Sequence, residues 1–84
     1  MSLTSEQVRA ARMLLRWEQK DLAEASGVSL PSIKRLETQL GELSAQGRTI
    51  EAITRALEKA GIEFIRENGG GAGVRMAKRT RRPR

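Results

Sequence analysis

Two adjacent cations, Lys34 and Arg35, have the residue types and the spacing to bind another molecule. They stand in the run GVSLPSIKRLE, residues 27–37, between Ile33 and Leu36. A spacing of three places Ile33 and Leu36 on one helical face and leaves the cations on the other. A guanidinium can donate two parallel hydrogen bonds to one planar acceptor, such as a phosphate or the edge of a base. The alternative is an ordinary solvated helix face.

The composition argues against catalytic and metal-binding chemistry. The chain has no histidine and no cysteine, so it lacks the commonest general base, thiolate metal ligands and disulfides. Its carboxylates follow surface patterns, as in Glu51 and Arg55, four residues apart. We therefore expect no enzyme and no cofactor or metal. No stretch has the roughly 20 apolar residues of a membrane span, and no apolar signal segment stands at the N-terminus, so we expect a cytoplasmic protein.

The positive charge is concentrated at the C-terminus. The net charge is +6, yet residues 1–74 hold ten Lys or Arg and ten Asp or Glu. The remaining cations, with no acid among them, are Arg75, Lys78, Arg79, Arg81, Arg82 and Arg84. Like-charge runs are usually disordered and often bind polyanions. We expect residues 78–84 to be a disordered basic tail that binds nucleic acid nonspecifically, the alternative being a solubilising end.

The sequence predicts four helices that must position these side chains, since apolar residues recur at spacings of three and four. They cover about residues 5–16, 19–25, 30–38 and 49–60. Thr4 and Gln7 form a capping-box pattern before the first helix, and Gly27 ends the second. Ser29 is suited to cap the third helix, and Pro31 lies in its first turn.

The pattern changes after the fourth helix. The runs IEFIREN and GVRMAK predict two strands, and the Asn-Gly pair in the intervening NGGGAG is a strong hairpin signal. An isolated hairpin is marginally stable, so we expect it to pack on the helices through Phe64 or to pair with the edge of a second copy. Leu40 and Leu43, in the connection 38–48, are expected to pack on the core.

These elements together predict a mainly α fold. Helices 2 and 3 are short and joined by a tight glycine turn, which is the helix-turn-helix pattern. We predict a small helical bundle with a helix-turn-helix over residues 1–61. A short C-terminal β-strand or hairpin over 62–77 is a candidate dimerisation element, and the basic tail over 78–84 follows.

The run QKDLAEASGVSLPSIKRLE resembles the phage-repressor and Cro type of helix-turn-helix, the XRE-like family of bacterial regulators. The resemblance covers about residues 5–60. It rests on Gln19, Leu22-Ala23, Gly27-Val28, Ser32-Ile33 and Leu36-Glu37. It implies a lambda-repressor-like bundle that binds double-stranded DNA, with the third helix in the major groove and the second across the phosphates.

The resemblance also implies roles for single residues. Arg12 and Glu37 match a structural ion pair of the family, and Gln19 matches a phosphate contact. Arg35 is the best candidate for reading a guanine, worth roughly 1–3 kcal/mol of discrimination, while Lys34 is expected to meet phosphate. The implied DNA-binding positions are Gln19, Lys20, Ser29, Leu30, Pro31, Ser32, Lys34, Arg35 and Thr38.

The sequence departs from the family at two places. Leu30 and Pro31 replace polar readers that many members carry, and an apolar pair can contact a thymine methyl group. Many relatives continue with a further helix that pairs subunits, whereas this sequence turns to strands, glycines and a basic tail.

The main hypothesis is a sequence-specific DNA-binding transcriptional regulator, a repressor that acts as a homodimer. One alternative is an antitoxin-type protein that binds DNA and a toxin partner. Another is a basic-tailed RNA-binding or assembly protein, for which deletion of the tail abolishes nucleic-acid binding. A third is a protein-interaction module, which shows no DNA selectivity at any salt concentration.

Overall fold

The computed structural model describes residues 2–67 and 69–77. Its elements in chain order are α1 (Ser5–Leu15), α2 (Gln19–Ser26), α3 (Leu30–Glu37), α4 (Gly47–Lys59), β1 (Ile62–Ile65) and β2 (Gly73–Met76). The predicted mainly α fold with a C-terminal hairpin is therefore confirmed. The predicted tail, with Lys78, Arg79, Arg81, Arg82 and Arg84, lies outside the described residues.

Helix α1 begins with the predicted capping box. The Thr4 hydroxyl oxygen accepts a hydrogen bond from the Gln7 backbone N–H at 3.0 Å, and the Gln7 side-chain oxygen accepts one from the Thr4 N–H at 3.0 Å. Two backbone donors that the helix cannot satisfy are thus paired. Helix α1 ends at Leu15, because Arg16 takes the left-handed conformation with φ 58°.

A single apolar core joins all four helices and the first strand. Its buried members are Leu3, Val8, Ala11, Leu22, Ile33, Leu36, Leu43, Ile53, Ala56, Leu57 and Ile62. The prediction for Leu43 is confirmed, but the prediction for Leu40 is wrong, since its side chain is 87% exposed. Leu40 lies at the outside of a turn whose neighbouring carbonyls, those of Gln39 and Gly41, accept hydrogen bonds from Ser5.

The N-terminal segment pairs with the connection between α3 and α4. The Leu43 N–H donates to the Leu3 carbonyl at 2.8 Å, and the Ser5 N–H donates to the Gly41 carbonyl at 2.9 Å. The Glu6 carboxylate also accepts from the Gly41 N–H at 3.2 Å. The pKa of Glu6 is lowered, first by the hydrogen bond from its own backbone N–H and then by those from Gly41 and Ser5. Leu3 is thereby held in the core.

The hairpin lies across two helices, β1 against α4 and β2 against α1. The strands are antiparallel with Phe64 opposite Val74, and both side chains pack on the core, as expected for Phe64. The buried Gln7 amide donates to the Gly73 carbonyl at 3.0 Å. The same side chain therefore caps α1 and holds β2.

Candidate nucleic-acid interface

The turn between α2 and α3 consists of residues that end one helix and begin the next. Gly27 takes φ 77°, in the left-handed region that favours glycine, and its N–H donates to the Ala23 carbonyl at 2.9 Å. The Ser29 hydroxyl oxygen then accepts from the Ser32 N–H at 3.3 Å. Pro31 follows in the first turn of α3, where a missing N–H leaves no bond unmade. The predicted helix end at Gly27 and cap at Ser29 are confirmed.

Helix α3 has one face in the core and the other in solvent. Ile33 and Leu36 are buried. The opposite face is a stripe with helical spacings of three and four, which we call the α3 stripe: Pro31, Lys34, Arg35 and Thr38, all exposed. Leu30 and Ser32 are half-buried at its margins. The proposed readers therefore share one surface, as a helix that enters a groove requires.

The two cations of the α3 stripe are free to bind a ligand. Across residues 2–67 and 69–77, neither the Lys34 nor the Arg35 side chain takes part in an ion pair. A lysine ammonium offers three donors, and a guanidinium offers five in a planar fork. These donors have no competing acceptor within the described part of the chain, so a phosphate or a base edge can take them.

The hydroxyl groups among the predicted positions already serve the ends of α3. The Ser29 hydroxyl donates to the Ser32 hydroxyl oxygen at 2.9 Å. The Thr38 hydroxyl donates to the Arg35 carbonyl at 2.7 Å, one turn back. These bonds fix the helix ends and use the hydroxyl protons of Ser29 and Thr38.

A buried carboxylate ties α3 to the rest of the bundle. Glu37 accepts two hydrogen bonds of 2.7 Å from Arg12, one at each carboxylate oxygen, and a third from the Gln19 amide at 3.1 Å. Arg12 also donates to the Trp17 carbonyl at 2.9 Å. The two parallel hydrogen bonds from the Arg12 guanidinium pair the buried negative charge of Glu37 in bidentate geometry. It joins α1, the α1–α2 connection, α2 and the last residue of α3.

Two carboxylates, those of Glu18 and Asp21, lie at the start of α2, where the sequence predicted a phosphate contact. Gln19 opens the helix, but one N–H of its amide is already donated to Glu37. The Asp21 carboxylate accepts from the Glu18 N–H at 2.7 Å, and Glu18 lies 3.8 Å from the ammonium of Lys20. A phosphate at this helix end would bind the remaining Gln19 N–H and Lys20 beside two carboxylates.

Arg75 belongs to the second strand, as the run GVRMAK predicted. It lies in β2 directly opposite Glu63 and donates two hydrogen bonds to that carboxylate, at 3.0 and 3.1 Å. These bonds, and then the positive charge of Arg75, lower the pKa of Glu63. Because Glu63 and Arg75 are 12 residues apart, no local sequence pattern predicted this ion pair.

Two short helices, α2 and α3, joined by the tight turn at Gly27 form a helix-turn-helix. The family model described as helix-turn-helix matches residues 8–64, more than half of the chain. The chain belongs to the XRE-like helix-turn-helix family. This confirms the resemblance drawn from the sequence, and the family is one of DNA-binding regulators. No curated protein matches the sequence.

This helix-turn-helix protein contains the Arg12–Glu37 pair that the resemblance implied. The sequence reasoning missed the two further members of that network, the Gln19 amide and the Trp17 carbonyl. No pattern pointed to them, because Gln19 and Glu37 are 18 residues apart and a backbone carbonyl has no sequence signature.

The described residues hold no group of three or more acidic, His or Cys side chains that could bind a metal ion. None of their helices has the length and apolar character needed to cross a membrane.

Proposed function

We propose that this protein is a transcriptional repressor that binds two-fold symmetric DNA as a homodimer, with α3 in the major groove. The α3 stripe carries the proposal, because two cations stand on the solvent face of a helix whose other face is fixed in the core. Neither cation has an ion-pair partner among the described residues. The major groove, about 12 Å wide, admits one such helix. A protein seated there represses by excluding other proteins from the same DNA.

Arg35 and Lys34 have different roles in this proposal. The planar fork of Arg35 bonds O6 and N7 of one guanine, which specifies a base. The ammonium of Lys34 meets a phosphate, which positions the helix without reading sequence. Pro31, exposed on the same stripe, and the half-buried Leu30 contact a thymine methyl group near the start of α3.

The remaining predicted positions hold the backbone of the DNA. The free N–H of the Gln19 amide and the ammonium of Lys20 donate to one phosphate at the start of α2. Ser32 donates its hydroxyl proton, which no bond within α3 uses. Ser29 and Thr38 donate to a phosphate by turning their hydroxyl protons away from the Ser32 hydroxyl oxygen and the Arg35 carbonyl.

The dimer forms in this proposal through the free edge of β1, within residues 62–67. The sheet has only two strands among the described residues, so β1 is paired on one side alone. An unpaired edge is a template for another strand, and a second copy offers the same edge about a two-fold axis. The two α3 helices would then read half-sites about 34 Å apart, one helical turn of DNA.

The first test is selection of bound duplexes from a random-sequence pool, with the wild type and the Arg35→Ala variant in parallel. The expected wild-type result is a two-fold symmetric motif. The expected variant result is the same motif with one base pair in each half-site relaxed. An unchanged base preference in the variant would remove Arg35 as a reader.

Two further outcomes test the rest of the proposal. A chain shortened to residues 1–77 should still select the motif, with weaker and less salt-dependent binding, because the basic tail contributes only sequence-independent contacts. If shortening abolishes all binding and no motif is enriched, the tail alone binds nucleic acid.

Sedimentation at micromolar concentration tests the dimer, and a monomer both free and on DNA would overturn it.

A further inference from the structure

A groove of about 760 Å³ runs along the outer side of α4. Its floor is apolar and its rim is mostly acidic. Leu3, Leu43 and Ile50 line the floor, and the exposed carboxylates at the rim belong to Glu42, Glu51 and Glu58. This groove is separate from the α3 stripe, whose residues do not line it.

The carboxylates along the groove are only partly neutralised. Glu51 bonds to Arg55 at 2.9 Å, and Glu42 accepts from the Ser2 hydroxyl at 2.9 Å. Glu58 forms no ion pair among residues 2–67 and 69–77. Glu51 and Glu58 are seven residues apart, so they lie on one side of α4 at a separation of about 10 Å. Three carboxylates therefore face one guanidinium, which suits a cationic, extended occupant.

The chain itself delivers such an occupant to one end of the groove. The Ala77 N–H donates to the Gly61 carbonyl at 2.7 Å, and the Gly61 N–H donates to the Glu58 carbonyl at 3.0 Å. Ala77, the last described residue, is thus bonded to Gly61, which is in turn bonded to the backbone of Glu58. The next seven residues carry Lys78, Arg79, Arg81, Arg82 and Arg84 and no acid. Seven extended residues reach about 23 Å, about twice the separation of Glu51 and Glu58 along α4.

We propose that residues 78–84 dock in this acidic groove when no DNA is bound. The cations pair with the rim carboxylates, and the stems of the arginine side chains cover the apolar floor. Exposed ion pairs are individually weak, so the phosphates of DNA displace the carboxylates and take the same cations. The groove then acts as an internal competitor that lowers nonspecific binding.

The test places a single spin label on the full-length chain. The protein has no cysteine, so Arg84→Cys gives one attachment site. At about 0.01 M salt, where charges act over about 30 Å, the label should broaden the amide signals of Glu51, Thr54 and Glu58 most strongly. At about 1 M salt, where that length is about 3 Å, the broadening should be lost.

A matched pair of charge reversals separates docking from general attraction. Glu58→Lys should abolish the broadening along α4. Glu24→Lys, which reverses an exposed carboxylate on α2 outside the groove, should leave it in place. Equal loss in both variants, or broadening spread evenly over the surface, would overturn the proposal. A mixture of spin-labelled and unlabelled protein tests whether the tail docks on its own chain. Broadened amide signals from the unlabelled copy would also overturn the proposal, since the occupant of the groove would then be the tail of another chain.

The consequence for DNA rests on the proposed function and is measured separately. Glu58→Lys should raise the DNA affinity of the full chain. This rise should be about two- to tenfold larger than the rise from the same substitution in a chain whose five tail cations are changed to Gln, because only the chain with its tail cations loses a groove contact. An equal rise in both backgrounds would overturn the competition. Failure of all DNA binding would overturn the proposed function, and docking would still be decided by the spin-label signals.

Discussion

The carboxylate of Glu37, the last residue of α3, accepts a hydrogen bond at each of its oxygens from the guanidinium of Arg12 in α1, and both N–O distances are 2.7 Å. Their side chains are only 4% and 14% exposed. The pair therefore sets the direction of α3 relative to α1 at the end of the helix opposite to its Ser29 cap. Loss of either partner leaves a charge without its counterpart in the interior.

The variant Arg12→Met should be destabilised by about 3–5 kcal/mol, because it buries the Glu37 carboxylate without a cation. Urea unfolding measures the change. Arg9→Met, at an exposed arginine of the same helix, is the matched control and should cost far less. The double variant Arg12→Met/Glu37→Leu should recover part of the loss, since two apolar side chains replace the pair. A double variant as unstable as the single one would contradict this account.

Ser29→Ala should cost about 1 kcal/mol of stability, the usual value of an N-cap side chain. The reason is the lost bond from the Ser32 N–H at the start of α3. Thermal unfolding gives the difference, with Ser44→Ala in the exposed α3–α4 connection as the control. If both variants melt together, the Ser29 hydroxyl does not hold the helix start.

The Glu63–Arg75 pair should make stability depend on acid. The lowered pKa of Glu63 means that its contribution is fully present above the ordinary carboxyl value of 4.5 and is lost as pH falls through the lower, folded-state pKa. Melting temperatures measured from pH 7 downward should fall more steeply for the wild type than for Glu63→Gln. Parallel curves would show that the pairing contributes nothing in solution.

Lys34→Ala should weaken binding to all DNA sequences alike. A phosphate contact contributes through counterion release, so the slope of log affinity against log salt should become shallower by about 1. Affinity for matched and mismatched duplexes over a salt series provides the measurement. A change of preference at one base pair would instead make Lys34 a reader of sequence.

The sequence predicted those features that local chemistry determines. The Thr4–Gln7 capping box, the helix end at Gly27 and the cap at Ser29 each depend on residues within a few positions of one another. The exposed face of α3 follows from the spacing of Ile33 and Leu36 alone. Family membership required the combination of these signals over many residues.

Contacts between distant parts of the chain could not be predicted in this way. The burial of Leu3 against the α3–α4 connection, the outward Leu40 and the Glu63–Arg75 pair all depend on how remote segments meet. The Arg12–Glu37 pair, 25 residues apart, was implied only by the family resemblance. Both strands of the hairpin were predicted, but their register was not, so the pairing of Arg75 with Glu63, 12 residues away, was not predicted.

The double role of Gln7 has a consequence for local unfolding. One side chain completes the first turn of α1 and also holds the Gly73 carbonyl, so the hairpin cannot lift away without exposing that buried amide. Separation of hairpin and helix start would leave a polar group unpaired. Backbone amides in the first turn of α1 and in β2 should therefore exchange with solvent deuterium through one shared opening, although they stand near opposite ends of the chain.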